Sequence, residues 1–226
     1  MAMMTTLKRL RNPHYEEKAC KERWIVLLKN LKKKKADDAP LSIRKILELN
    51  GLDDAIWALR AVDGHDREKR LFAIWCARRV LPMLNNARSS IDALRVAERL
   101  AEGEFTYAGM LDAARAVGIP QRLHDSYVLP WSAVKATLWI SPNQAVWVSY
   151  GETRRSIAEA ASRIALRAAG LDEHYVTPGI LVDPGTTAWR AAFEQETITI
   201  AKELLRMLDI TATGDRYEIG EYVQTT

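Results

Sequence analysis

Apolar residues recur every three or four positions along most of the chain, which is the period of an α-helix with one buried face. Near the N-terminus Cys20, Trp24, Leu27, Leu28 and Leu31 follow this spacing, and the basic residues between them fall largely on the other face. The pattern predicts an amphipathic helix that packs against the body of the protein.

Residue types that start and stop helices divide the next part of the chain. Ser42 is a good N-cap for a short helix, and Gly51 tolerates the left-handed conformation that commonly ends one. Asp53 and Asp54 then place acidic groups at the positive end of a further helix, which we expect to run through Val62.

Two helices of different character are predicted in the centre of the chain. The first begins near Asp66 and is apolar almost all round from Leu71 to Ala77, as in a buried helix. The second covers Ser89 to Glu102 with one apolar and one charged face, and the spacing of Ser89 and Asp92 suits a capping box. Gly103 supplies the stop.

Prolines cut the following sequence into shorter pieces. A helix from Thr106 to Val117 is expected to end at Gly118. The segments YVLPW and WISPNQAVWVSY fit either a strand or a helix by periodicity. We favour short helices because Pro130 and Pro142 can occupy first turns.

Two more helices are expected toward the C-terminus. The first, Arg154 to Ala169, is rich in alanine and ends at Gly170. A loop at 176–186 then leads to a last helix from Thr187 to Leu208. One face of that helix carries the apolar residues Ile198, Ala201, Leu204, Leu205 and Leu208.

Together these segments predict an all-α fold, an irregular multi-helix bundle of roughly eight to ten helices. We expect a basic N-terminal helical arm at 1–36, a helical domain at 37–210 and a short non-helical tail at 211–226. The apolar residues of the tail fit either a short strand or a segment docked on the body: Tyr217, Ile219 and Tyr222.

Composition agrees with one sizeable core, since 48% of the 226 residues are hydrophobic. Cys20 and Cys76 both stand among apolar residues, so we expect both to be reduced and buried in a cytoplasmic protein. Lys8, Arg9 and Arg11 are not followed by an apolar run of signal-peptide length, and we expect no contact with a membrane.

Charge is distributed unevenly along the chain. Residues 1–35 hold eleven lysines and arginines against three glutamates, a net charge of +8, so the remainder sums to −4 in a chain of +4. The candidate nucleic-acid contacts are Lys29, Lys32, Lys33, Lys34 and Lys35. A solvated helix C-terminus is the alternative, because the helix dipole favours lysines there.

A predicted buried helix contains WCAR, and a helix with the pattern ALxxAERxAxGE follows it. Both belong to the stretch GHDREKRLFAIWCARRV, which continues through AERLAEGEFTYAGMLDAARA. With the upstream segment DDAPLSIRKILELNGLDDAIWALRAVDG, it resembles a helical family of bacterial and phage proteins designated immunity proteins. The resemblance covers about residues 37–117, and the closing AWRAAFEQETITIAKELLRML is similar to the family's last helix. It implies a helical scaffold and a role in conflict biology, with no agreed catalytic motif.

The sequence departs from the family pattern at 119–186, where prolines, Gly151 and the 176–186 loop replace long tracts of alanine, tryptophan and arginine. We therefore expect the partner-binding surface in this divergent segment. The candidate partner-binding residues are Trp131, Trp139, Trp147, His174 and Tyr175.

The titratable residues give no catalytic pattern. The four histidines lack the i, i+4 spacing of a helical metal site: His14, His65, His124 and His174. Those that neighbour carboxylates in sequence point about 100° away from them on a helix, so we interpret them as helix-start and loop polar groups. No catalytic residue, metal or cofactor is predicted.

Four arginines flank the apolar part of the central helix: Arg67, Arg70, Arg78 and Arg79. A guanidinium beside a buried wall needs a carboxylate partner, and we expect Glu98 or Glu102 to supply it.

These observations favour a non-enzymatic cytoplasmic protein that binds another protein, as an immunity protein or as a phage anti-host or anti-defence factor. The alternative is a nucleic-acid-associated protein that uses residues 1–35. The oligomeric state is open, with a dimer among the alternatives.

Overall fold

The chain is described by a computed structural model for residues 2–11, 20–84, 87–116, 129–139, 141–170 and 184–220. Its described part is an all-α multi-helix fold, as predicted, with one small two-stranded sheet. The helices are α1 (Leu7–Leu10), α2 (Lys21–Asn30), α3 (Ile43–Asn50), α4 (Leu52–Ala58), α5 (Asp66–Arg78), α6 (Ala87–Ala101), α7 (Tyr107–Ala116), α8 (Leu129–Ala136), α9 (Pro142–Ala168) and α10 (Pro184–Thr213). The strands are β1 (Met4–Thr5) and β2 (Leu41–Ser42), and short 3₁₀ helices cover Leu59–Ala61 and Leu81–Met83.

The N-terminal residues are part of the main core, through a sheet that the sequence did not predict. β1 pairs antiparallel with β2, Met4 opposite Ser42. Met3 is buried, and the Thr5 hydroxyl donates a hydrogen bond to the Ala61 carbonyl at 2.8 Å. These contacts attach the start of the chain to the 3₁₀ turn after α4. The division into arm, domain and tail stays a prediction.

Several helix boundaries lie where their capping residues predict them. The Ser42 hydroxyl accepts a hydrogen bond from the Lys45 N–H at 3.1 Å, and Gly51 ends α3 with φ +85°. α5 begins at Asp66, and His65 precedes it in the left-handed conformation with φ +58°. His65 is therefore a helix-start residue, as expected.

Several predicted boundaries are wrong, among them the end of the last helix, which continues past Leu208 to Thr213 and so into the predicted tail. α6 begins at Ala87, so Ser89 lies inside its first turn and does not cap it. α9 is one helix of 27 residues that continues through Gly151, where we expected an interruption. α10 begins at Pro184, so Pro184 and Gly185 belong to a helix and not to the loop. Gly151 remains helical because the packing of α9 outweighs a local cost of about 1 kcal/mol. Pro184 suits the first turn of a helix, where its missing N–H costs nothing.

The buried face of α10 also differs from the predicted one. Ile198 is 49% exposed, because the buried face starts from Glu196 instead. The buried residues of this face are Glu196, Ile200, Glu203, Leu204, Met207, Leu208 and Thr211. Two carboxylates therefore occupy core-facing positions, and a pattern of apolar residues does not predict buried carboxylates.

α5 lies at the centre of the core and contacts α6, α8, α9 and α10. Leu71 to Ala77 is buried except for half-buried Trp75, in agreement with its apolar pattern. Cys76 is fully buried as predicted. Cys20 is exposed, so its predicted burial is wrong. Cys20 precedes the first turn of α2, and Leu27 is the one buried residue of that helix.

Arginines at the two ends of α5 form ion pairs with the two glutamates that the sequence suggested and with a third glutamate. Arg67 pairs with Glu102 at 2.6 Å, and Arg78 pairs with Glu98. Arg79 pairs with Glu196 of α10, which the sequence did not suggest.

Residues after α10 dock on the body, which was one of the two predicted alternatives. Tyr217 is fully buried, and its hydroxyl donates to Glu203 Oε1 at 2.6 Å. Arg67 and Arg206 donate to the carbonyls of Tyr217 and Glu218. Tyr222 lies outside the described residues. Within the described ranges, no helix combines the length and the apolar character needed to cross a bilayer.

Candidate binding pocket

A pocket of about 430 Å³ opens between α2, α4 and α9. Three tryptophans, one from each of these helices, contribute to its walls: Trp24, Trp57 and Trp147. Trp147 is 38% exposed, and the other two are half-buried. Sites for small molecules and anchoring side chains span roughly 300–1,000 Å³ and are mostly apolar, so this pocket has the size and character of such a site.

Helical periodicity explains why the sequence directs these side chains to one place. On α2, Trp24 and Leu27 are three residues apart and share a face. On α4, Asp53 and Trp57 are four residues apart and do the same. The pocket therefore has an apolar floor and a charged edge, the latter supplied by the first turn of α4.

The first carboxylate at that edge, Asp54, is satisfied by its neighbours. Arg23 Nε donates to Asp54 Oδ1 at 2.9 Å, and Asn50 Nδ2 donates to Oδ2 at 2.7 Å. The hydrogen bond with Asp54 raises the pKa of Arg23, and Arg23 Nη2 also donates to the Asn50 carbonyl at 2.7 Å. This group of side chains joins α2 to the junction of α3 and α4.

The second carboxylate, Asp53, is more open. Its Oδ1 accepts hydrogen bonds from the Tyr150 hydroxyl and from Arg154 Nη2, the latter at 2.9 Å, while 53% of its side chain is exposed. Burial, followed by the hydrogen bond to Asp53, raises the pKa of Tyr150 well above its ordinary value. Tyr150 therefore remains a donor throughout the physiological pH range.

Two of the tryptophan walls already make contacts, Trp57 with a cation and Trp147 with a further aromatic ring. The Arg60 guanidinium lies 3.7 Å from the centre of the Trp57 ring. The rings of Trp147 and Tyr150 are 6.3 Å apart and tilted by 51°. At the opposite edge the Cys20 thiol donates to Glu22 at 2.9 Å, which lowers the pKa of that carboxyl.

The structure brings one of the predicted partner-binding residues to this pocket. Trp147 lines the pocket, whereas Trp139 is exposed after α8 and does not line it. Trp131 belongs to α8, but its side chain lies outside the described residues, as do His174 and Tyr175.

The candidate nucleic-acid contacts lie at the C-terminal end of α2. Lys33 pairs with Asp37 at 2.7 Å. The other four lysines of the set are exposed and pair with no described carboxylate: Lys29, Lys32, Lys34 and Lys35. They follow the helix that supplies Trp24 and Leu27, so the basic run and the pocket share one helix.

Several pocket residues had no signal in the sequence that pointed to binding. Trp24 belonged to an apolar stripe, and Asp53 and Asp54 fitted a helix start. Their joint position depends on the packing of α2 against α3 and of α4 against α9, which is distant from α4 in the sequence. Trp147 was the one lining residue that the sequence did single out, because it lies in the divergent segment 119–186.

Metal ligation has no support in the part of the chain that the structure describes, where no three histidine, cysteine or acidic residues cluster. Comparisons of the chain with protein-family models, with curated proteins and with solved structures gave no match.

Proposed function

We propose that this is a non-enzymatic cytoplasmic protein that binds another protein through a surface that includes the tryptophan-lined pocket. The observation that carries the proposal is that Trp24, Trp57 and Trp147 line one open pocket of about 430 Å³. Tryptophan is enriched among the residues that contribute most to protein interfaces, and binding pockets are lined mainly by apolar and aromatic side chains. Trp147 also falls within 119–186, the segment in which the sequence departs from the family it resembles.

The biological setting of the proposal comes from that resemblance. Residues 37–117 resemble a family whose members are designated immunity proteins. The partner would therefore be a toxin, a host factor or a defence factor. Genome neighbourhood separates these roles: an adjacent toxin gene, neutralised on co-expression, supports immunity, whereas surrounding phage early genes support an anti-host or anti-defence role.

Capture experiments with two variants of the same helix test the surface. Trp147→Ala removes a pocket wall, while Ile164→Ala changes a 67% exposed residue of α9 that does not line the pocket. A partner retained by the unmodified chain and by Ile164→Ala, but lost by Trp147→Ala, is the expected result. Equal capture by all three proteins would remove the pocket from the interface.

A nucleic-acid-associated function is the second candidate, supported by the exposure of Lys29, Lys32, Lys34 and Lys35 beside one another. Phosphate contacts release counterions, so binding through these residues would fall steeply with salt. Replacement of all four by glutamine should abolish a mobility shift seen at low salt. A flat titration of the unmodified chain at low salt excludes this function.

A further inference from the structure

We infer that the pocket accepts a basic side chain, lysine or arginine, together with a neighbouring apolar side chain of a peptide segment. This inference rests on the proposed function, because it specifies the chemistry of the partner at the same pocket. Three features of the described residues support it: the net charge of the lining, the open oxygen of Asp53, and the aromatic walls.

The pocket lining holds more carboxylates than guanidinium groups. The pocket-lining residues include one guanidinium, Arg23, and two carboxylates, Asp53 and Asp54, so their net charge is −1. Arg23 is already committed to Asp54 and to a backbone carbonyl. Arg154 pairs with Asp53 through Oδ1 alone, so a positive group entering the pocket would face Oδ2 of that carboxylate without displacing either pair.

Asp53 offers a defined hydrogen-bond acceptor at the rim. Both of its hydrogen bonds to described residues, from Tyr150 and from Arg154, use Oδ1. Oδ2 accepts none from any described residue, although the side chain is 53% exposed. A lysine ammonium or an arginine guanidinium donates to such an oxygen in a charge-assisted hydrogen bond.

The tryptophan walls suit the rest of a basic side chain. Lysine and arginine bury their aliphatic stems against apolar surface while the charged end stays polar. A cation over a tryptophan face is also attracted by the ring quadrupole, and Arg60 over Trp57 shows this contact within the chain itself. The remaining apolar floor, formed by Leu10, Leu27 and Ile46, accommodates a neighbouring apolar side chain.

Three blocked dipeptides test this inference on the unmodified chain: acetyl-Leu-Arg-amide, acetyl-Leu-citrulline-amide and acetyl-Leu-Glu-amide. Citrulline has nearly the shape of arginine without its charge, so the comparison isolates the cation. Binding is followed by the indole N–H signals of ¹⁵N-labelled protein, assigned with Trp24→Phe, Trp57→Phe and Trp147→Phe. We expect these three signals to shift with the arginine peptide at a Kd at least fivefold below that of the citrulline peptide.

Asp53→Asn supplies the matched variant, because asparagine keeps an Oδ1 acceptor for Tyr150 and Arg154. It should reduce the preference for arginine over citrulline to less than twofold. Asp112→Asn, on exposed α7 outside the pocket lining, should leave the preference unchanged. Should Asp53→Asn not fold, the three-peptide comparison on the unmodified chain decides alone.

Equal affinity for arginine and citrulline, a preference for the glutamate peptide, or no shift of the three signals would each overturn the inference. The proposed function fails separately. If Trp147→Ala loses a captured partner while no dipeptide shifts the indole signals, protein binding stands and the ligand class is wrong. If the dipeptides bind as expected but capture does not depend on Trp147, the ligand class stands and the proposed protein-binding surface is wrong.

Discussion

Arg79 and Glu196 stand 117 positions apart in the sequence and form a two-point ion pair that joins α5 to α10. Nε and Nη2 of Arg79 donate to the two carboxylate oxygens of Glu196, with Nη2 at 2.7 Å from Oε2. The Glu196 side chain is 4% exposed, whereas Arg79 is 32% exposed. The carboxylate is therefore the deeply buried member, and Arg79 is the partner that compensates its charge.

Loss of Arg79 should accordingly cost more than loss of the whole pair. Arg79→Met leaves Glu196 charged and buried, so we expect the free energy of unfolding to fall by about 3 kcal/mol. The double variant Arg79→Met with Glu196→Leu should recover most of that loss, as urea denaturation would show. Arg95→Met, which breaks an exposed pair with Asp92, should cost less than about 1 kcal/mol. Additive losses in the double variant would contradict the dependence of Glu196 on Arg79.

Two helical glycines should respond to alanine in opposite ways. A Cβ at Gly185 would come within 2.8 Å of Leu166 Cγ and 2.9 Å of Ser162 Oγ, where α10 approaches α9. Gly185→Ala should therefore destabilise the protein by about 1–3 kcal/mol. A Cβ at Gly151 would meet nothing within 4 Å, so Gly151→Ala should raise stability by about 0.5–1 kcal/mol. Thermal and urea unfolding of both variants compare the signs directly, and a gain for Gly185→Ala would rule out the close approach of the helices.

Acid should weaken the ion pairs around Glu102. The hydrogen bond from Arg67 lowers the pKa of Glu102 below its usual 4.5, against the opposing effect of burial. Because the folded-state pKa is the lower one, the stabilisation is fully present above pH 4.5 and is lost as pH falls through the folded value. Glu102→Gln should thus be less stable than the unmodified chain at pH 5.5, with a smaller difference at pH 3. A difference that does not narrow on acidification would show that Glu102 contributes without its charge.

The two thiols should react at very different rates. Cys20 is exposed at the edge of the pocket, whereas Cys76 is fully buried and burial raises its thiol pKa well above the ordinary value. Ellman's reagent should label one thiol per chain quickly, and the second only in denaturant. Cys20→Ser should remove the fast reaction, and Cys76→Ala should leave it. Two fast thiols in the unmodified chain would place Cys76 at the surface.

Local helix signals were the part of the fold that the sequence could predict well. α3 begins after Ser42 and ends before Gly51, and α5 begins at Asp66, as predicted. These boundaries were predictable because capping depends on one or two neighbouring residues. The signals failed where distant packing decides: Gly151 stays helical within α9 because that helix is held by its contacts with α5, α8 and α10.

The pocket itself could not be derived from periodicity. Trp24, Trp57 and Trp147 each have an adequate explanation as residues on an apolar stripe, and only the arrangement of three helices leaves space between them. Glu196 was missed for a related reason, since a carboxylate at a buried helix position requires a distant arginine that no local pattern reveals.

The central position of α5 has a consequence for synthesis on the ribosome. Its apolar residues are covered by α9 and α10, which are translated only after Pro142 and Pro184 are reached. At roughly 5–20 residues per second, Leu71 to Ala77 therefore waits about 5–30 seconds until both covering helices have been synthesised. During that interval the apolar surface of α5 on the nascent chain stays exposed, so slower initiation or an abundant chaperone should raise the yield of soluble protein.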